Sequence, residues 1–289
     1  MINYILLLLA DVLLALSFTS QKIYQKHSGT SNLSGIFYTM IVGFCSSIIF
    51  LIISGFDIRI TPYSLLMATA QTSLVALYTI LSFKVLKEGN LALYTLFLMT
   101  GGMVLPYIFG VLFLKEDLTL LRSIGLLLIT GAVVLSNLGV KKTSKTQILL
   151  CFIIFLLNGG VSIISKLHQI EQGFETVNSD CFVLFTSLIK CIALLPVFFV
   201  LKKKSPVAFK PDIKKILPVI VLASVFSGVS YMLQLIGATS LPATVVYPLI
   251  TGGSIILSSV AGLLILKEKP SKQQITGILI CFIGTCLFL

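Results

Sequence analysis

Ten apolar runs, each about 18 to 25 residues long, occupy nearly all of this chain. A helix of that length crosses a hydrocarbon core roughly 30 Å thick, so the runs read as transmembrane spans. They fall at 3–24, 32–54, 63–86, 91–114, 119–139, 146–168, 178–201, 215–237, 243–266 and 272–289. Only helices and closed barrels satisfy their backbone groups inside lipid, and runs this long predict helices. The expected fold is therefore an all-α integral membrane protein of ten transmembrane helices. Composition agrees, because charged residues make up 11% and hydrophobic ones 57%, against about 25% charged in a typical soluble domain. The first run has no Lys or Arg before it, carries Asp11 and lacks a clear small-residue cleavage site, so it reads as a retained helix.

The net charge of +11 is spread over short loops, which points to lipid headgroups rather than nucleic acid. Loops after odd-numbered spans hold 16 of the 21 Lys and Arg, loops after even-numbered spans hold 4, and Lys190 lies inside a span. The positive-inside rule then places the odd loops in the cytoplasm and both termini outside. The six cysteines sit within or at the edge of apolar spans without CxxC spacing, which suits packing rather than metal binding. No metal and no cofactor are expected.

The chain repeats itself. LMTGGMVLPYIFGVLFLKEDLT (98–119) lies over LITGGSIILSSVAGLLILKEKPS (249–271), aligning Thr100-Gly101-Gly102 with Thr251-Gly252-Gly253 and Lys115-Glu116 with Lys267-Glu268. Gly125 matches Gly277 just beyond, and Tyr94 pairs more loosely with Tyr247. SQKIYQKHSG (20–29) lies over ISKLHQIEQG (164–173), aligning Lys22 with Lys166 and Gln25 with Gln169. The boundaries read as a first five-helix repeat at 1–140, a basic linker at 141–145 and a second repeat at 146–289. Five spans per repeat force the copies to insert with opposite orientation, the architecture of many secondary transporters.

These motifs resemble the EamA type of the drug/metabolite transporter superfamily over essentially the whole chain. The resemblance is strongest in FLKEDLTLLRSIGLLLITGAVVL and LILKEKPSKQQITGILICFIGTCL, where an apolar helix meets Glu116 or Glu268 at the membrane edge. LKEGNLALYTLFLMTGG looks like the family's entry into helix 4, and Lys22 and Lys166 stand where it often ends the first helix of each repeat. Tryptophan, common near the family's first helix, is absent, and the family is described with cytoplasmic termini, opposite to the charge count here. The resemblance implies an exporter of amino acids, metabolites or drugs, with a channel or an importer as alternatives and the substrate open. It leaves room for proton coupling and for a homodimer in the cell membrane.

Asp11 is the only acidic residue deep in a span, and a carboxylate there must face the bundle interior and be protonated or paired. Lys190 sits at a similar depth in helix 7, which motivates an Asp11–Lys190 pair. Asn158, Gln71 and Gln234 suit interhelical hydrogen bonds or a wet cavity. Tyr94, Tyr231 and Tyr247, with Tyr78, suit a pocket wall. Thr100, Gly101, Gly102, Thr251, Gly252 and Gly253, with Pro106 and Pro248 nearby, interrupt corresponding helices of both halves, a pointer to a substrate pathway. Glu116 and Glu268 read as capping or loop-tethering groups. A Walker A loop, HExxH and GxSxG are all missing, so ATP-driven transport and intramembrane hydrolysis are not expected.

Overall fold

The computed structural model describes residues 1–87, 91–136, 144–204, 211–267 and 270–289. Among them are ten helices and no strand: α1 (Ile2–Ser28), α2 (Asn32–Ile53), α3 (Pro62–Lys87), α4 (Leu91–Leu112), α5 (Leu120–Ser136), α6 (Lys145–Ile170), α7 (Ser179–Lys204), α8 (Ile213–Ser240), α9 (Ala243–Leu264) and α10 (Lys272–Cys286). Each expected span coincides with one helix. Eight helices are long and apolar enough to cross a membrane, while α5 and α10 have 17 and 15 residues. The linker lysines Lys141 and Lys142, and Glu268, lie outside the described residues.

Helix starts follow from local chemistry. Ser144 and Ser271 cap α6 and α10, each accepting from a backbone N–H three residues on, while Gln147 and Gln274 return the contact. These boxes satisfy amides that a helix leaves open at its first turn. Ser271→Ala should therefore lower stability by about 1 kcal/mol, read as a fall in the melting temperature of the purified protein. An unchanged melting temperature would show that lipid headgroups already serve these amides.

Packing follows a twofold scheme. α1 packs on α8 and α9, and α6 packs on α3 and α4; α2 pairs with α7, α4 with α9 and α5 with α10; α3 touches α7 as α2 touches α8. Exchanging every helix with the one five places away converts these pairs into one another. The α4–α6 crossing is tight, since a methyl group on Gly101 would overlap the backbone carbonyl of Phe155, and one on Gly159 would overlap Leu105. The corresponding α9–α1 crossing sets Gly253 against Asp11. Small residues at such crossings let helix backbones approach within a membrane, where packing rather than hydrophobicity drives association.

The α1–α2 loop, the last turns of α3, α5, α7 and α9 and the first turns of α4, α6, α8 and α10 lie at one end, called here the basic end. The termini and the α2–α3, α4–α5, α6–α7 and α8–α9 loops lie at the terminal end. Contacts of Tyr63 with Glu171 and of Glu116 with Ala243 tie the loops of the terminal end together.

Candidate functional site

A cavity opens at the basic end, and among the described residues the terminal end is closed by hydrogen bonds between its helices and loops. A cavity of about 860 Å³ enters between the end of α1, the start of α4, the ends of α5 and α9, and the start of α10. Its wall mixes Lys22, Gln25, Tyr94, Ser259 and Gln274 with apolar residues such as Phe18. A helix turns 100° per residue, so Asp11, Phe18, Lys22 and Gln25 share one face of α1. Asp11 thus lies on the cavity stripe, roughly 10 Å deeper than Phe18 at 1.5 Å rise per residue.

At the terminal end, the second-half counterparts of these residues are engaged. Lys166 is only 4% exposed, and its Nζ donates to the carbonyls of Ala238 and Leu241, both at 2.6 Å. Tyr247 donates its hydroxyl hydrogen to the carbonyl of Ser162. Glu116 accepts from the backbone N–H groups of Ala243 at 2.7 Å and Thr244 at 2.8 Å, capping α9. A carboxylate there meets the positive end of the helix, which strengthens both bonds. Deeper in, Gln71 donates to the Tyr231 hydroxyl at 2.6 Å, and Ser165 bonds both Gln71 at 3.3 Å and Tyr231 at 3.0 Å, joining α3, α6 and α8.

The α6–α7 loop is tied down beside this cluster. Ser64 Oγ bonds His168 Nε2 at 2.8 Å and accepts from the Val177 N–H at 3.0 Å. Glu171 accepts from Gly173 N–H at 2.7 Å and from the Tyr63 hydroxyl at 3.1 Å. The Gly173 amide, first among these donors, holds the Glu171 carboxyl below the usual carboxylate range.

The remaining candidate residues divide between unsatisfied and satisfied positions. Asp11 has no exposed surface, and neither carboxyl oxygen has a hydrogen-bond partner among the described residues. Its neighbours are bonded: Ser230 donates to the Ala10 carbonyl at 2.7 Å, and Gln234 donates to Ser230 at 3.1 Å. At the equivalent crossing, Asn158 donates to the Leu98 carbonyl at 2.7 Å and Ser162 to that of Gly102 at 3.1 Å. Thr100 bonds back to Leu96 within its own helix, and the Thr251 carbonyl accepts from Ser254. Gly101 and Gly102 face Phe155 and Asn158, while Gly252 faces Thr285 and Ile129, so these glycines serve helix crossings. Of the sequence candidates, Tyr94 lines this cavity.

The Asp11–Lys190 pair is not formed. Matching depth says nothing about lateral position, and α1 packs on α8 and α9 whereas α7 packs on α2, α3 and α8. Lys190 is half-buried and joins no ion pair among the described residues. Sequence reasoning missed the Lys166 contact with α8 and the amide and hydroxyl wall of the cavity. The alignment of Lys22 with Lys166 was the available signal for the first.

A membrane-embedded helical bundle with a cavity lined by both polar and apolar side chains suits a protein that moves small molecules. The model of the EamA-like transporter family matches residues 145–289, which hold α6 to α10 and half of the chain. The chain belongs to the EamA-like transporter family. It is a multi-pass membrane protein of a family of small-molecule transporters. Among solved structures, one described only as a crystal structure of a protein has 14% identity and a TM-score of 0.73, covering 99% of this chain and 95% of that one. That likeness concerns the fold. No curated protein matches.

Proposed function

We propose that this chain is a secondary transporter that exports a small organic metabolite by alternating access between two inverted repeats, residues 1–140 and 146–289. One observation carries the reading: the two ends stand in different states. Lys166 and Tyr247 are buried at the terminal end, whereas their counterparts Lys22 and Tyr94 line a cavity at the basic end. Two similar halves that adopt different states can exchange them, exposing one site to each side in turn. The family match begins at residue 145, beside the linker, and the twofold packing scheme supports the same division.

The positive-inside rule makes the basic end cytoplasmic, so the open cavity faces the side from which an exporter loads. Substrate enters past Lys22, Gln25 and Tyr94 toward the stripe ending at Asp11. Asp11 exchanges a proton with the cavity, because its carboxyl is buried without a partner where an ionised group is expensive. Gln71, Tyr231 and Tyr247 border the same path from the closed side.

The test begins with a panel of amino acids, organic acids, nucleosides and cationic drugs screened for thermal stabilisation of the purified protein. A ligand at 100 times its Kd stabilises the bound state by about 2.7 kcal/mol. The stabilising compound, radiolabelled, should then show saturable uptake into proteoliposomes and be accelerated by unlabelled compound on the opposite side. Uptake that rises linearly with concentration and shows no such acceleration marks a channel instead.

A further inference from the structure

We propose that the end of α6, residues 161–170, is the gate of the terminal end and that it swings about Gly160. The proposal rests on the alternating-access reading above and names the element that moves at one of the two ends. Two observations carry it: where the polar contacts of α6 lie, and a glycine that packing does not explain.

Past Gly160, α6 is a hub. The Ser162 hydroxyl donates to the Gly102 carbonyl of α4 at 3.1 Å, and the Ser162 carbonyl accepts from Tyr247 of α9. Ser165 bonds Gln71 of α3 and Tyr231 of α8, and Lys166 donates to two carbonyls at the end of α8. His168 bonds Ser64 of α3 and stacks on Phe182 of α7, with ring centroids 3.8 Å apart. Helices α3, α4, α7, α8 and α9 thus all meet these turns, and Ser165, Lys166 and His168 are buried among them. Before Gly160, α6 is held differently. Gly159 stands against Leu105 and the Gly101 carbonyl, and the backbone of Phe155 stands against Gly101, so this stem interlocks with α4 by close approach. Water cannot replace interlocked packing, whereas it can serve hydroxyls, an ammonium group and carbonyls once they part. The stem is therefore the fixed part of α6, and the tip is the part that can let go at small net loss.

Gly160 lies between the two. A methyl group on Gly159 would overlap Leu105, so packing accounts for that glycine. One on Gly160 would meet, among the described residues, only Leu74 Cδ1 at 3.0 Å, the far end of a flexible side chain. Glycine weakens a helix interior relative to alanine, and the residues that absorb hinge motions are often small. A weakened helix position with no packing return, set between a fixed stem and a polar tip, is where a hinge belongs.

Maleimide labelling of a single cysteine in lipid nanodiscs tests the proposal, because the reagent reaches both ends. The chain's own cysteines are first replaced by serine. Thr244→Cys reports on the terminal end, since Thr244 is buried and lies one turn before Tyr247 on the α9 face that meets α6. Ser259→Cys reports on the cavity. Ser165→Ala removes the bonds to Gln71 and Tyr231, and labelling at Thr244→Cys should rise about fivefold, the order expected for two hydrogen bonds between membrane helices. Tyr231→Phe takes its place where Ser165→Ala fails to fold. Adding Gly160→Ala to Ser165→Ala should bring labelling back near the parent rate with no fall in melting temperature, whereas adding Gly131→Ala should leave it fast. Labelling that stays fast with Gly160→Ala would overturn the hinge. A melting temperature several degrees lower would overturn it too, by giving Gly160 a packing role. Unchanged labelling in both Ser165→Ala and Tyr231→Phe would overturn the gate and leave the transport reading intact. A Ser259→Cys reporter that does not label in the parent would instead overturn the alternating-access reading.

Discussion

Asp11→Asn should abolish proton-driven transport, lowering uptake under a pH gradient at least tenfold while leaving exchange of substrate down its own gradient measurable. The expectation comes from a contrast between two equivalent crossings. Asn158 at the α4–α6 crossing meets a carbonyl with its amide, whereas Asp11 at the α1–α9 crossing meets Gly253 and finds no hydrogen-bond partner among the described residues. A buried polar group left without a partner is expensive, and its persistence calls for a reason beyond packing. Asparagine fills the same volume but carries no exchangeable charge, so the bundle should still fold. The pH dependence has a definite sign under this reading: as external pH falls, proton binding at Asp11 favours the return stroke, and the Asn variant loses that acceleration. Wild-type pH dependence in the Asn variant would remove Asp11 from the coupling. A variant that fails to fold would assign the carboxyl to structure alone.

Gly101→Ala should be the most damaging single methyl that can be added to this bundle. The new carbon would overlap the carbonyl oxygen of Phe155, which is backbone and cannot swing aside. Overpacking of this kind costs about 1–3 kcal/mol. The shift would also pull on the Asn158–Leu98 and Ser162–Gly102 hydrogen bonds, each worth about 0.6 kcal/mol in membrane bundles. The melting temperature in detergent should fall by several degrees. Gly131→Ala is the control, since nothing lies within 4 Å of the added methyl. It should be neutral or slightly stabilising, because alanine is the better helix former. Equal effects of the two substitutions would show that the α4–α6 crossing is looser than described.

Much of the fold could be read from the sequence because the bilayer leaves few choices. A run such as 146–168 must be helical in lipid, and α6 indeed covers it. The repeat was readable through its polar anchors, since Lys22 over Lys166 and Glu116 over Glu268 stand out in an otherwise apolar chain. Who touches whom was harder. Lys166 meets carbonyls 72 and 75 residues away, and an apolar helix carries no pattern that names its neighbour. Depth could be counted along α1 and α7, but their separation by other helices could not, so the Asp11–Lys190 pair did not follow. The glycine pairs were visible as interruptions of both halves. Whether an interruption frees a carbonyl or admits a neighbouring helix depends on that neighbour, here Phe155 and Thr285.

Reciprocal motion of the two ends is the most direct consequence of the account. Spin labels at Lys26 and Gln274 span the mouth of the cavity, and labels at Asp117 and Ser240 span the closed end. Distances measured by pulsed electron resonance in nanodiscs, in the parent and in Asp11→Asn at acid and neutral pH, test it. The account predicts two populations at each end, with the mouth distance shortening as the terminal distance lengthens. Distances that stay fixed at both ends, or that change in the same sense, would contradict it.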